Sequence, residues 1–401
     1  MIDIQDATKI VLSRKRSFGT ERCPLEQSNG RVLRQDIRAD RDFPPFTRVT
    51  MDGIAIQWAA YEQGQRQFPV AGTQAAGSPR QTLQDAKACL EVMTGAILPE
   101  GTDTIIRYED VEMTAGIAAI KDGARVKARQ NAHLQGLDRQ AGDLIVQSGQ
   151  LLSPAEIGVA ATVGLTELTV AKLPKAVIIS TGDELVGVGE TPMPHQIRTS
   201  NTYTIQAALA HWGVLAERLH IGDDLAATRA ILDRCLHDYD VILLSGGVSK
   251  GKFDFVPEAL EDLGVTKLFH KVKQRPGKPF WFGEAAGRCT VFALPGNPVS
   301  SFMCTQRYFR PWLRESLELE ALGYAYAALG ADFQFQPDLT YFLQVRTRFD
   351  AGSGQLIALP VEGKGSGDLA NLADADAFLE LPRGKDTFRE GEVFPLIFYR
   401  Y

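Results

Sequence analysis

The chain has 401 residues and a net charge of −6, with 44% hydrophobic and 23% charged residues. That length is too great for one hydrophobic core and predicts two to four domains of ordinary globular composition. The negative charge argues against non-specific nucleic-acid binding by the surface as a whole, and neither a bilayer-spanning apolar stretch nor a signal-peptide pattern is found, so a cytoplasmic, membrane-free protein is expected. Five scattered cysteines (Cys23, Cys89, Cys235, Cys289, Cys304) contain no C-x-x-C pair and read as reduced, buried thiols, neither a disulfide frame nor a zinc site.

In chain order, Ile4, Ala7, Ile10 and Val11 predict a helix over 3–16 with basic residues in its last turn. The clusters Arg14-Lys15-Arg16 and Lys127 to Arg129 read as solvated faces. Phe43-Pro44-Pro45-Phe46 is a rigid crossing between domains. Asp52 stands before Gly53, where an aspartate commonly bonds its own backbone. Residues 68–140 carry short β-like runs divided by glycines, with Asp122-Gly123 as the expected hairpin turn. Ser153, Pro154 and Glu156 form a capping box at the head of a helix that Gly164 ends.

From residue 175 the pattern becomes alternating strands and helices. Ala176-Val177-Ile178-Ile179 is a buried-type strand ending in Ser180-Thr181-Gly182-Asp183-Glu184. Ser200-Asn201 are expected to cap the next helix, and Asp223-Asp224 the one after it. A second apolar run, Val241 to Leu244, stops at Ser245-Gly246-Gly247-Val248-Ser249, with Asp254 beyond. Its glycines permit positive φ and close approach to a ligand, so the loop is a candidate phosphate cradle. It is not a P-loop, because Phe253 stands where Ser or Thr would hold magnesium. Arg275-Pro276-Gly277-Lys278-Pro279 is a rigid basic turn suited to an oxyanion. Thr290 to Leu294 is a third strand, and Pro295-Gly296-Asn297-Pro298 turns it into a helix with Asn297 as cap.

The three strand-to-loop junctions, at 180, 245 and 295, belong to one open parallel sheet, whose strands present their carboxyl ends along a common edge where ligands bind. Their convergence nominates Asp183, Glu184, Asp223, Asp254 and Lys278, the acids being suited to Mg²⁺. Helix capping is the competing role for Asp223. From about 326 the text is β again and predicts a small barrel or sandwich. In it Leu343, Val345, Thr347 and Phe349 alternate with Gln344, Arg346 and Arg348, and Gly363 to Gly367 form a loop that is either a turn or an oxyanion contact.

These motifs together resemble the molybdopterin molybdenumtransferase family, which includes MoeA and the E domain of gephyrin. The resemblance is carried by Ser180 to Leu185, Ser245 to Ser249 with Asp254, Pro276 to Pro279 and Pro295 to Ser300, in that order. Met51-Asp52-Gly53 and Met93-Thr94-Gly95-Ala96 add to it outside the α/β region. It implies a multidomain α/β plus β fold. An elongated connecting domain would take 1–45 and 141–172, an inserted β-rich domain 46–140, an α/β molybdopterin-binding domain with a mostly parallel sheet 173–325, and a β-barrel-like domain 326–401. It further implies a homodimer with the site between subunits, and insertion of molybdate into adenylyl-molybdopterin with Mg²⁺-dependent release of AMP.

By matched motif, Asp52, Thr94, Asp138, Glu184 and Asp254 would be catalytic, and Asp223, Asp254 and Glu184 would hold the metal. The substrate would meet Thr181, Gly182, Asp183, Asn201, Ser245, Gly246, Gly247, Ser249, Arg275, Lys278, Pro295, Gly296, Asn297, Ser300 and Ser366. The chain departs from the family pattern at Arg48-Val49-Thr50, at Ile54, at His133-Leu134-Gln135 and at Gln344, where an arginine is usual; Arg346 is on the same strand face. The competing reading is a non-catalytic paralogue that binds molybdopterin or a protein partner as carrier or scaffold.

Overall fold

A computed structural model describes residues 1–248, 255–320, 323 and 325–400. Ser249 and Asp254, both nominated from sequence, lie outside the described residues. The α/β region is built on a six-stranded sheet in spatial order Ala216–Ile221, Ala176–Thr181, Val241–Ser245, Cys289–Leu294, Trp281–Ala285, Thr266–His270. The first four are parallel; the last two add antiparallel strands at one edge. Every residue of Val241–Ser245 and Cys289–Leu294 is buried, which is why both read as continuous apolar runs.

One face of this sheet packs Ile178, Leu243 and Phe292 against the N-terminal helix, Ile4–Ser13, and against Phe302, Phe309 and Trp312. The other face packs Val177, Ile242 and Val291 on Leu232, Leu236 and Leu260 of the flanking helices. Burial of each such side chain contributes about 1.5–3 kcal/mol, so the central strands are the firmest part of the region. The helix that begins at Pro298 passes through a π-helical turn at Thr305–Phe309 before ending at Ser316.

A separate sheet, of six strands, spans Gly53 to Ile120, with its own core of Ile54, Ile56, Phe68 and Ile106. Cys23, Leu33, Val146, Leu152, Leu168 and Val170 form another core between residues 20–38 and 144–171. At the C-terminus the strands Thr340–Phe349, Leu356–Pro360, Ala325–Leu329, Val393–Phe398 and Ala377–Leu381 close on themselves, since the first also pairs with the last. The result is a five-stranded barrel, one of the two folds the alternation predicts; Phe349, at the strand end, is 75% exposed. All five cysteines are free and buried. Among the described residues no helix is long and apolar enough to cross a membrane.

Several local expectations are corrected. The first helix stops at Ser13, so Arg14 to Arg16 fall beyond its last turn. Arg14 and Arg16 are half-buried; the Arg16 guanidinium donates to Asp240 O and Gly287 O, each at 3.2 Å, and to Arg288 O. The hairpin turn lies at Ala115-Gly116 and not at Asp122-Gly123. Ala115 and Gly116 have φ of 50° and 77°, the paired positive values of a type I′ turn, and join Val111–Thr114 to Ile117–Ile120. The capping box forms as expected, with Ala155 N–H donating to Ser153 Oγ and Ser153 N–H to Glu156. Ser153→Ala should therefore lower stability by about 1 kcal/mol in urea denaturation; an unchanged midpoint would contradict the capping role.

Candidate active site

The carboxyl ends of Ala176–Thr181, Val241–Ser245 and Cys289–Leu294 lie side by side, and the three loops after them meet in a crevice of about 580 Å³. It is walled by Thr181, Gly182 and Glu184 from the first loop, Ser245, Gly246 and Gly247 from the second, and Pro295, Gly296 and Asn297 from the third. Asn201 and Asp223 complete it. A larger hollow of about 780 Å³, mostly apolar, lies between the N-terminal helix, Gln306 to Glu315 and the barrel, and holds none of the nominated residues.

Each wall is fixed by a specific device. Gly182 has φ +128°, and a Cβ there would stand 2.7 Å from the Glu184 carboxyl carbon, so only glycine lets that carboxylate fold back over the turn. Asp183 Oδ1 accepts from the Asp223 N–H at 3.0 Å, tying the first loop to the end of Ala216–Ile221. Gly246 N–H donates to Leu294 O at 3.2 Å, so the second loop hangs from the neighbouring strand end. Gly246 and Gly247 have φ of +105° and +69°, and added Cβ atoms would each stand 2.9 Å from Thr181 Oγ1.

The expected caps are rearranged in a way that matters. Asp224, not Asp223, caps the helix Leu225–Asp238, by accepting from Ala227 N–H, so capping does not account for Asp223. Ser200 occupies the N-cap position of Asn201–His211 without a side-chain bond to it, and Asn297 does the same for the helix at Pro298. Asn201 Nδ2 instead donates to Ser245 Oγ at 2.8 Å and Gly296 O at 2.7 Å, cross-linking the second and third loops, and its buried Oδ1 has no partner. Asn297 Nδ2 donates to Ser366 Oγ at 2.8 Å, which brings the loop from the C-terminal barrel onto the crevice rim, where Gly367 joins the lining. Two helix N-termini thus border the crevice without side-chain caps; at the second, Pro298 has no N–H and Val299 N–H donates to Ser366 O at 3.2 Å, so the start of Asn201–His211 is the one with open backbone donors, the ordinary setting for an anion.

Not every nominated residue joins this crevice. Lys278 is exposed, with its neighbour Pro279 in the lining. Arg275 turns away, its guanidinium 5.8 Å from the Phe335 ring centroid. Ser300 is buried inside its helix. Gln344 is buried with its Nε2 unpartnered, and Arg346 is exposed and donates to Asp374 O, so Arg346 does not take up a place in the crevice. Arg198 lines the crevice but was not nominated; its Nε donates to Glu190 O at 3.0 Å. The short parallel pairing of Leu185–Val186 with Ile197–Arg198 places it there. Its one legible signal was its position three residues before Asn201.

The remaining nominated residues form their own groups in the residue 46–140 region. Asp52 Oδ1 accepts from Thr94 N–H at 2.6 Å and Thr94 Oγ1 at 2.7 Å. These bonds, the backbone one foremost, hold the Asp52 carboxyl below the ordinary carboxylate range. The stabilisation from a depressed carboxylate is complete above the unfolded pKa, about 3.9, and is lost as pH falls through the lower folded value. Thr94→Val should remove the hydroxyl bond and move the Asp52 titration upward in an NMR pH series; an unmoved titration would refute the assignment. Asp138 Oδ1 pairs with His133 Nε2 at 2.9 Å, and Ala132-His133 pairs with Arg48-Val49. Neither group contributes to the crevice lining.

Three family models cover nearly the whole chain: "MoeA N-terminal region (domain I and II)" at residues 2–164, "Probable molybdopterin binding domain" at 177–315, and "MoeA C-terminal region (domain IV)" at 326–399. The chain is 40% identical to a molybdopterin molybdenumtransferase of Synechocystis sp., over 98% of this chain and 99% of that one. It is 30% identical to one of Bacillus subtilis, over 100% and 94%. A crystal structure of a molybdopterin biosynthesis MoeA protein from Pyrococcus horikosii superimposes with a TM-score of 0.82 at 28% identity, covering both chains fully. With these likenesses spanning all three regions, the chain belongs to the molybdopterin molybdenumtransferase family.

Proposed function

We propose that this protein inserts molybdate into adenylyl-molybdopterin, releasing AMP, in molybdenum cofactor biosynthesis. The observation that carries this reading is the crevice itself: two helix N-termini without side-chain caps face two carboxylates, Glu184 and Asp223, across a volume suited to a small-molecule ligand. The N-terminus of the Asn201 helix and the Ser245 to Gly247 turn bind the ligand phosphate, and the unpartnered Asn201 Oδ1 accepts from a pterin N–H.

The magnesium ion implied by the family fits this donor set in one respect. Among the described residues there is no cluster of three metal-ligating side chains, but Mg²⁺ is commonly held by one or two carboxylates with water and substrate phosphate. Glu184 and Asp223 would hold it, and when bound it would neutralise charge on the phosphoanhydride oxygens. The Glu184 carboxylate lies over the Gly182 turn, and the bond from Asp223 N–H to Asp183 ties the two loops that carry the carboxylates together. Arg198, in the crevice lining, supplies a cationic group for the molybdate oxyanion.

The protein acts as a homodimer in this reading. Asp52, Thr94 and Asp138 stand outside the crevice of their own chain, which supports their action on the crevice of a second copy. Mixing inactive Asp52→Ala and Glu184→Ala proteins should restore part of the activity, because each hybrid dimer contains one intact composite site. No recovery in verified hybrids would contradict a shared site. For the function itself, expression in a bacterium lacking its own molybdopterin molybdenumtransferase should restore a molybdenum-dependent enzyme activity. Folded protein without restoration would favour the carrier reading instead.

A further inference from the structure

The Arg14-Lys15-Arg16 segment lies at the opposite end of the sheet from the crevice. With Glu284, Gly287, Arg288, Cys289 and Thr290 it encloses a hollow of about 190 Å³ at the amino ends of the strands. Thr290 and Pro295 are on the same strand and its exit, five residues or about 17 Å apart, so the hollow and the crevice are well separated.

Four features point to a small anion. First, four cationic side chains line the hollow and Glu284 is its single acid among the described residues. Second, the charges are not cancelled. Arg14 pairs with Glu284 at 3.2 Å and Lys15 with Glu315 at 3.4 Å, but the Arg16 guanidinium donates to the carbonyls of Asp240, Gly287 and Arg288 and to no carboxylate among the described residues, and Arg288 donates to the His237 ring at 3.0 Å. Third, Thr290 is 1% exposed and its Oγ1 has no hydrogen-bond partner. Fourth, Arg14 Nε is likewise buried and unpartnered. Buried donors without acceptors are costly, and two of them line one basic hollow. Its volume is below the roughly 300 Å³ at which pockets for drug-sized ligands begin.

We propose that this hollow binds a small tetrahedral oxyanion, of the phosphate, sulfate and molybdate class, as a site separate from the crevice. Arg16 is preorganised by its three carbonyl contacts, Arg288 supplies a second guanidinium, and Thr290 Oγ1 and Arg14 Nε donate to anion oxygens.

The test is calorimetric titration of the full-length protein at low ionic strength with inorganic phosphate, sulfate and molybdate in separate arms. Neither Thr290 nor Arg288 lines the crevice, so their variants separate binding at the hollow from binding at the crevice. A saturable site that both variants weaken is expected for at least one of the three anions, and the arm in which that site binds most tightly identifies the source. Thr290→Val and Arg288→Gln should each weaken binding about tenfold, the scale of a lost hydrogen bond to a charged group. Arg288 is exposed, so its variant decides the matter if Thr290→Val folds poorly. No saturable binding of any anion, or isotherms unchanged in both variants, would overturn the proposal.

Discussion

Glu184→Ala should lower molybdate-insertion turnover at least ~100-fold, the usual loss when a preorganised charged group is removed from a reacting centre. Its stability should stay within about 0.5 kcal/mol of the parent, because Glu184 is exposed and supports no core packing. The same change opens space above Gly182 and adds no clash. Pterin binding should survive, since the Ser245 to Gly247 turn and the Asn201 cross-links do not involve this carboxylate. Turnover within a few-fold of wild type would remove Glu184 from the catalytic set and leave Asp223 as the carboxylate to test next.

Gly53→Ala is expected to be the most destabilising single substitution in the residue 46–140 region. A Cβ at Gly53 would stand 2.8 Å from the Ile106 carbonyl carbon and 2.9 Å from Arg107 Cα. Both are backbone atoms of the neighbouring strand, and Gly53 is paired on its other side with Val92, so the strand has nowhere to retreat. The cost should exceed about 3 kcal/mol, the upper end of ordinary overpacking. Hydrogen exchange should accelerate across residues 53–120 while the strands at 176–181, 241–245 and 289–294 stay protected. By contrast Gly158→Ala sits in open space on a helix and should stabilise by up to about 1 kcal/mol. Equal protection in Gly53→Ala and wild type would contradict the packing argument.

The α/β region was legible because its central strands are buried on both faces, so Val241 to Leu244 carries its burial in its composition. The convergence of the loops followed from the parallel topology, and the capping box from local chemistry alone. What was not legible depends on partners distant in sequence. Asn201 and Asn297 read as caps because their short amides suit that role; the structure turns them toward Ser245, Gly296 and Ser366, which only the fold brings near. Arg16 reads as solvated until Asp240 and Gly287 carbonyls are placed beside it. Gln344 and Arg346 share a strand face, but the barrel buries one and leaves the other at the surface on Asp374. Arg198 lies in a segment with no apolar period, and only its place three residues before Asn201 hinted at it.

The most direct measurement is AMP release from adenylyl-molybdopterin, followed with and without molybdate and Mg²⁺, at matched pterin occupancy. Molybdate-dependent release well above a no-enzyme control is expected, and Glu184→Ala should abolish it. Tight pterin binding with no release above that control would contradict the proposed function and identify the chain as a carrier.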